Sequence, residues 1–166
     1  MGLLLLFTCF FAYSNENQFV IRVGDTISIT VYNELDLTTK AKIGHTGILK
    51  IPLIGNVQVV NKTAQELSSE LETAYFDGYL VDPSVSVVIE SYRPFYVRGA
   101  VYSPGVYQFD FDMNVEQALA LAKGLKDRAS KREWYIIRGV EKSRVKVTKE
   151  SRIFPGDILE IEESLF

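Results

Sequence analysis

The chain is short of the residues that usually carry chemistry. Its 166 residues include one cysteine, one histidine and one tryptophan. Cys9 falls in the apolar N-terminal stretch, so a chain cut after Ser14 would hold no thiol, and neither a disulfide nor a cysteine-held metal is expected. His45 stands alone in "IGHTGI", flanked by glycines at 44 and 47. A solvated turn residue is the simple reading, because nucleophilic catalysis needs a base with an orienting partner. Positive charge is not in excess: 18 Lys and Arg face 21 Asp and Glu, for a formal net charge of −3. Nucleic acid is therefore not an expected partner, since binding it takes concentrated cations, and the basic stretch 126–132 reads as solvated surface. Long hydrophobic runs are missing as well. Residues 3–12 are far short of the roughly 20 that a membrane-spanning helix needs. They fit a secretory signal over residues 1–14, with Ala12 and Ser14 as the small residues at its end. No Lys or Arg precedes the apolar run, so a start codon upstream is expected; acylation of Cys9 is the lesser alternative, because Thr8 stands where Gly or Ala is usual.

Two apparent motifs dissolve on inspection. "DFDMN" places Asp110, Asp112 and Asn114 at alternate positions, as a calcium loop would, but Val115 stands where that loop needs Gly and Leu121 where it needs a bidentate Glu. The acid pairs Glu162-Glu163 and Glu70-Glu72 are scattered, whereas a glycoside hydrolase needs two carboxylates facing each other across a cleft. Neither a catalytic residue nor a cofactor or metal site is expected.

What the sequence does have is strand and turn patterning. Residues 19–33, "FVIRVGDTISITVYN", place a Gly24-Asp25 turn before Ile27, Ile29 and Val31, which alternate with Ser28 and Thr30 as in a strand with one buried face. Residues 46–60 read as two short strands broken at Gly55-Asn56. A helix follows, capped by Thr63 with Glu66 three residues on, striped by Leu67, Leu71, Ala74 and Tyr75, and stopped at Asp77-Gly78. The capping role explains Thr63 more simply than does the glycosylation sequon at Asn61. "SVSVVIESY" is strand-like, and a boundary between two units falls near residues 91–94.

The second unit opens on "FYVRGAVYSPGVYQF", a hairpin for which Pro104-Gly105 offers tight-turn chemistry. Gly99 and Gly105 are the positions at which a side chain should crowd a strand or strain a turn. Next comes a short helix with Asn114 as N-cap, Gln117 three residues on and Gly124 as C-cap; its shared face is Val115, Ala118, Leu119 and Ala122. Strands around residues 134–137, 145–147 and 158–161 close the chain. Gly156-Asp157 launches the last of them as Gly24-Asp25 launches the first. The pattern predicts an α+β fold. Tyr92, Phe95, Tyr96, Tyr102 and Tyr107, interleaved with Arg93 and Arg98, read first as sheet-packing residues, some at a subunit interface, with stacking on sugar rings or ligands as the alternative.

In this order the segments resemble the outer-membrane polysaccharide export proteins of the Wza-like kind. "VGDTISITVYNELDL", "GILKIPLIGNVQV", "TAQELSSELETAY" and "YLVDPSVSVVI" resemble their polysaccharide export domain, here residues 15–92. "YVRGAVYSPGVYQF", "NVEQALALAKG" and "FPGDILEI" resemble a soluble-ligand-binding β-grasp domain, here residues 93–166. The resemblance implies a structural motif set of Gly24, Asp25, Gly99, Pro104, Gly105, Tyr107, Gly156 and Asp157, with Arg93, Arg98 and Tyr102 as candidate interface or lumen contacts. It implies a non-enzymatic periplasmic ring, closed by head-to-tail contacts and associated with the outer membrane, that passes capsular polysaccharide or exopolysaccharide from an inner-membrane co-polymerase. With one β-grasp domain and no C-terminal amphipathic helix after "EIEESLF", a separate outer-membrane β-barrel is expected to complete the path. The competing readings are a periplasmic β-grasp module that binds a small ligand or glycan, and a polysaccharide-modifying hydrolase or lyase.

Overall fold

A computed structural model describes residues 19–139 and 141–164, so the expected signal and Cys9 lie outside the described residues. The elements run β1 (Thr26–Val31), β2 (Glu34–Lys42), β3 (Ile48–Ile51), β4 (Gly55–Gln58), α1 (Ala64–Phe76), β5 (Val85–Ser91), β6 (Phe95–Gly99), β7 (Gly105–Tyr107), α2 (Val115–Leu121), β8 (Ala129–Arg138), β9 (Ser143–Lys146) and β10 (Ile158–Glu163). The class is α+β, as the pattern predicts.

In the first half an antiparallel sheet of order β2-β1-β5 forms around β1, whose Ile27, Ile29 and Val31 point inward as the alternation requires. Helix α1 turns Leu67, Leu71 and Tyr75 onto this core. It begins with the expected capping box: Glu66 N–H donates to Thr63 Oγ1 at 3.2 Å and Thr63 N–H donates to Glu66 Oε2 at 2.7 Å. Its flank is tied to β5, where Val85 N–H donates to Glu72 Oε1 at 2.9 Å and Ser68 donates to the Val85 carbonyl.

Strand β2 was not anticipated. It is an edge strand in which Leu35, Leu37 and Ala41 alternate with polar residues, but Leu37 alone is buried. The β3-β4 hairpin was expected to break at Gly55-Asn56, but both residues belong to β4 and the chain reverses at residues 52–54. Pro52 has no N–H to continue the ladder and Leu53 takes φ +66°, so the reversal falls there.

The second half is a five-stranded sheet of order β7-β6-β10-β8-β9, in which the last strand inserts between β6, to which it is parallel, and β8, to which it is antiparallel. Helix α2 packs Val115, Ala118 and Leu119 onto a core that includes Phe95, Val97, Trp134, Ile136, Leu159 and Ile161. Asn114 and Gln117 form its capping box, both hydrogen bonds at 2.9 Å. The helix ends two residues earlier than Gly124 suggests: Ala122 is the C-cap, and Lys123 and Gly124 follow with φ +63° and +85°.

The hairpin also departs from expectation. Gly105 is the first residue of β7, opposite Val97, with ordinary φ and open space where a Cβ would sit; the connection is the five-residue loop 100–104 rather than a tight Pro-Gly turn. Gly99 is the constrained position. Its φ is +92°, and a Cβ there would lie 2.0 Å from the carbonyl oxygen of Ile161, its partner on the adjacent strand β10.

Candidate functional site

The two Gly-Asp turns, 132 residues apart in sequence, meet at one place between the two hydrophobic cores. Each spans four residues closed by an i+3 to i hydrogen bond, Asp25 N–H to the Arg22 carbonyl at 3.2 Å and Asp157 N–H to the Phe154 carbonyl at 3.0 Å. Each has its glycine third, with φ +94° at Gly24 and +86° at Gly156, a type II arrangement that favours glycine; the second turn also carries Pro155 in the position where a fixed φ helps. Each aspartate then folds back onto its own turn. Asp25 accepts from Arg22 N–H and Asp157 from Phe154 N–H, both at 2.8 Å. Such a buried carboxylate takes the place of a second backbone acceptor and stiffens the turn that launches the strand.

Asp25 and Asp157, 0% and 1% exposed, are the buried charged side chains among the described residues. Burial of a carboxylate demands a cation, and each has one. Arg138, from the end of β8, grips Asp157 with a two-pronged fork, Nε to Oδ1 at 2.8 Å and Nη2 to Oδ2 at 2.7 Å, while its plane lies 4.3 Å over Phe154. Arg93, from the segment joining the halves, reaches Asp25 through its own N–H at 2.7 Å and through Nη1 at 3.2 Å.

Arg93 touches both turns. A Cβ added at Gly24 would fall 3.2 Å from Arg93 Cβ, and one at Gly156 would fall 3.0 Å from Arg93 Nε. The neighbouring backbone completes the joint: Gly156 N–H donates to the Pro94 carbonyl at 3.1 Å and Tyr96 N–H to the Asp157 carbonyl at 2.9 Å. An aromatic group seals one side, with Phe19 stacked on Phe111 at 5.1 Å and tilted against Tyr92 at 5.7 Å. Burial, reinforced by the Asp25 charge, raises the Tyr92 hydroxyl above its ordinary pKa. No buried side-chain nitrogen or oxygen among the described residues is left without a partner. The joint is therefore a satisfied structural device, with no nucleophile-base pair in it.

The remaining sequence candidates are dispersed. Arg98 pairs with Glu160, its neighbour across β6 and β10, at 2.6 Å on the sheet face away from α2. Arg144 joins that face, over Tyr135 at 3.6 Å and bonded to Glu160 and Glu162. Tyr102 is 56% exposed on a loop held to the end of α2 by its N–H to the Gly124 carbonyl at 3.1 Å. Tyr107 stacks on Phe95 and donates to the Ser103 carbonyl at 2.5 Å, which closes the loop that follows Gly99; Pro104 lies within that loop. Arg93, a candidate interface or lumen contact in the sequence, is drawn inward, with its side chain 21% exposed. His45 is exposed on its turn, Asp112 pairs with Arg152 at 3.0 Å, and Asn114 caps α2, so the calcium-like spacing builds no ligand cage. Arg138 went unnoticed in the sequence, because nothing local marks it as the partner of an aspartate 19 residues on.

Residues 14–90 match the family described as polysaccharide biosynthesis/export protein. Over this segment the chain is similar to that family. The polysaccharide-export match therefore covers the β2-β1-β5 sheet and α1, up to the residues just before Arg93. The chain is also 30% identical over 115 residues to the exopolysaccharide production protein ExoF of Rhizobium meliloti strain 1021. The alignment covers 67% of this chain and 27% of that protein, so the chain spans about a quarter of its relative's length. No helix among the described residues is long and apolar enough to cross a membrane.

Proposed function

We propose that this chain is a non-enzymatic component of an exopolysaccharide export path in the cell envelope. The observation that carries the reading is the export-family match over residues 14–90, continued by the resemblance to an exopolysaccharide production protein. The structure supports it in kind: one buried carboxylate is held by Arg93 from the connection between the two units and the other by Arg138 within the second, an arrangement that suits a part whose job is shape. The second unit is a β-grasp domain in this reading, and the strand order β7-β6-β10-β8-β9 with parallel central strands supports that.

The chain acts in the periplasm as a homo-oligomeric ring, with an inner-membrane co-polymerase on one side and an outer-membrane β-barrel on the other. A ring requires head-to-tail interfaces, and two rigidly joined units supply them only if their angle is fixed. Deletion of the gene in its host is expected to abolish polymer in the medium, and the intact gene to restore it. Unchanged secretion in the deletion strain would remove the reading.

A further inference from the structure

Most cations of the second half are already taken. Arg93, Arg98, Arg138, Arg144 and Lys146 each pair with an acid inside the chain. Residues 123–132 are different: Lys123, Lys126, Arg128, Lys131 and Arg132 are exposed, make no ion pair among the described residues, and share the stretch with one acid, Asp127. Two surface depressions meet at Lys131 and Arg132. The larger, about 780 Å³, adds Arg128 and the hydroxyl of Ser130, with Asp127 and Glu133 also on its wall; the smaller, about 460 Å³, adds Lys146 and Lys149, which pair with Glu133 and Glu116, and Thr148, whose hydroxyl bonds Glu150.

The backbone beneath them is held in place. The Ser130 carbonyl accepts from Trp134 Nε1 at 2.6 Å, Ser130 Oγ accepts from Glu133 N–H at 3.0 Å, Lys126 N–H donates to the Ala100 carbonyl at 3.0 Å and Ser164 N–H to the Arg128 carbonyl at 2.7 Å. Five cations of one sign repel each other where they stand, and an anion laid across them relieves that repulsion.

We infer that residues 123–132 and the two depressions form a binding tract for a carboxylate-bearing polysaccharide. Guanidinium and ammonium groups pair with the carboxylates, and the interspersed hydroxyls hydrogen-bond the sugar. Single-stranded nucleic acid fits less well, because it needs exposed aromatic rings for its bases, and Trp134, the aromatic residue lining the smaller depression, is only 5% exposed. The inference rests on the export reading for the polymer class and adds its charge and its place of contact.

The test is binding of the full chain to polygalacturonate oligomers, with dextran, oligo-dT and phosphatidylglycerol vesicles in parallel. Polygalacturonate is expected to bind and dextran not, with affinity falling as salt screens the charges. The double substitution Lys131→Gln with Arg132→Gln is expected to weaken binding by at least about tenfold. A second pair, Lys126→Gln with Arg128→Gln, should weaken it too, and Lys42→Gln with Lys50→Gln in the first half should not. Absence of polygalacturonate binding by the unsubstituted chain, equal loss in the first-half control, or tighter binding to oligo-dT or vesicles would overturn the tract. Secretion by the deletion strain is scored separately. A substituted chain that no longer binds but still restores secretion sinks the tract's role and leaves the export reading standing.

Discussion

Asp25 and Asp157 occupy turns of one design but answer to different arginines. Asp157 is held by Arg138, from a strand of its own sheet, so that pair closes the second unit on itself. Asp25 is held by Arg93, from the connection between the units, so that pair reaches outside the sheet that Asp25 begins. The same local motif thus serves internal closure in one place and coupling in the other. The distinction lies in where the cation comes from, and nothing in the turns themselves encodes it.

The largest effects come from separating the carboxylates from their cations. Asp25→Ala strips the buried part of Arg93 of its partner and removes acceptors from two backbone N–H groups, a loss expected near the ~3–5 kcal/mol of a broken buried pair. Asp157→Ala is expected to cost less, because the Arg138 side chain is 43% exposed and regains water. Chemical denaturation would order them, and an equal or reversed order would break the comparison. Arg93→Met sharpens it further. If Arg93 couples the units, the fluorescence of Trp134, the one tryptophan and a resident of the second unit, and the far-ultraviolet signal of the whole chain should unfold together in the parent and apart in the variant. Arg138→Met should lower stability with the two probes still coincident.

Next come the glycines. Gly24→Ala and Gly156→Ala both force a side chain into positive φ, at roughly 1–2 kcal/mol each. Gly24→Ala should be the worse, since its Cβ meets the Cβ of Arg93 rather than a movable guanidinium nitrogen. Gly105→Ala is the control: with open space and ordinary φ, its melting temperature should match or exceed the parent's.

The smallest contrast lies in the helix caps. Glu66 completes the box of α1 and Gln117 that of α2. The Thr63 backbone N–H, then its hydroxyl, hold the Glu66 carboxyl below its ordinary value of 4.5. A depressed carboxylate contributes stability above its unfolded value, and that contribution is lost as pH falls through the lower folded value. Acidification below about 4.5 should therefore loosen the start of α1 and spare that of α2, because Gln117 carries no titrating proton. Amide exchange at Thr63 and Asn114 across that range would show it; equal loss at both would mean the caps do not differ.

Local chemistry was legible in the sequence wherever it acts locally. Thr63 and Glu66, Asn114 and Gln117, and the alternation of Ile27, Ile29 and Val31 name their structures because each signal and its effect lie within a few residues. Strand β2 escaped because its alternation, Leu35, Leu37 and Ala41, is sparse and broken by Thr38-Thr39, and only Leu37 is buried. Gly105 misled because a Pro-Gly pair suits several loops; the position that admits no side chain is Gly99, beside Ile161 of β10. The joint was half visible. Both turns stood out, but Arg93 and Asp25 are 68 residues apart and only the folded chain brings them together. The cations of residues 126–132 were visible as a cluster and read as solvated surface, while the depressions they line were not visible.

The insertion of β10 has a consequence in time. The first sheet and its helix are complete once residue 91 has been made, so that unit can form while synthesis continues. The second sheet cannot: β6 and β8 do not pair with each other, and nothing joins them until β10 arrives between them and bonds to both. Until then Phe95, Val97, Trp134 and Ile136 lack their central partner, and a sheet face that will be core stays open. The molecule is thus built so that a chain in which β10 is missing or late exposes its second half, and the docking of β10 decides when that exposure ends.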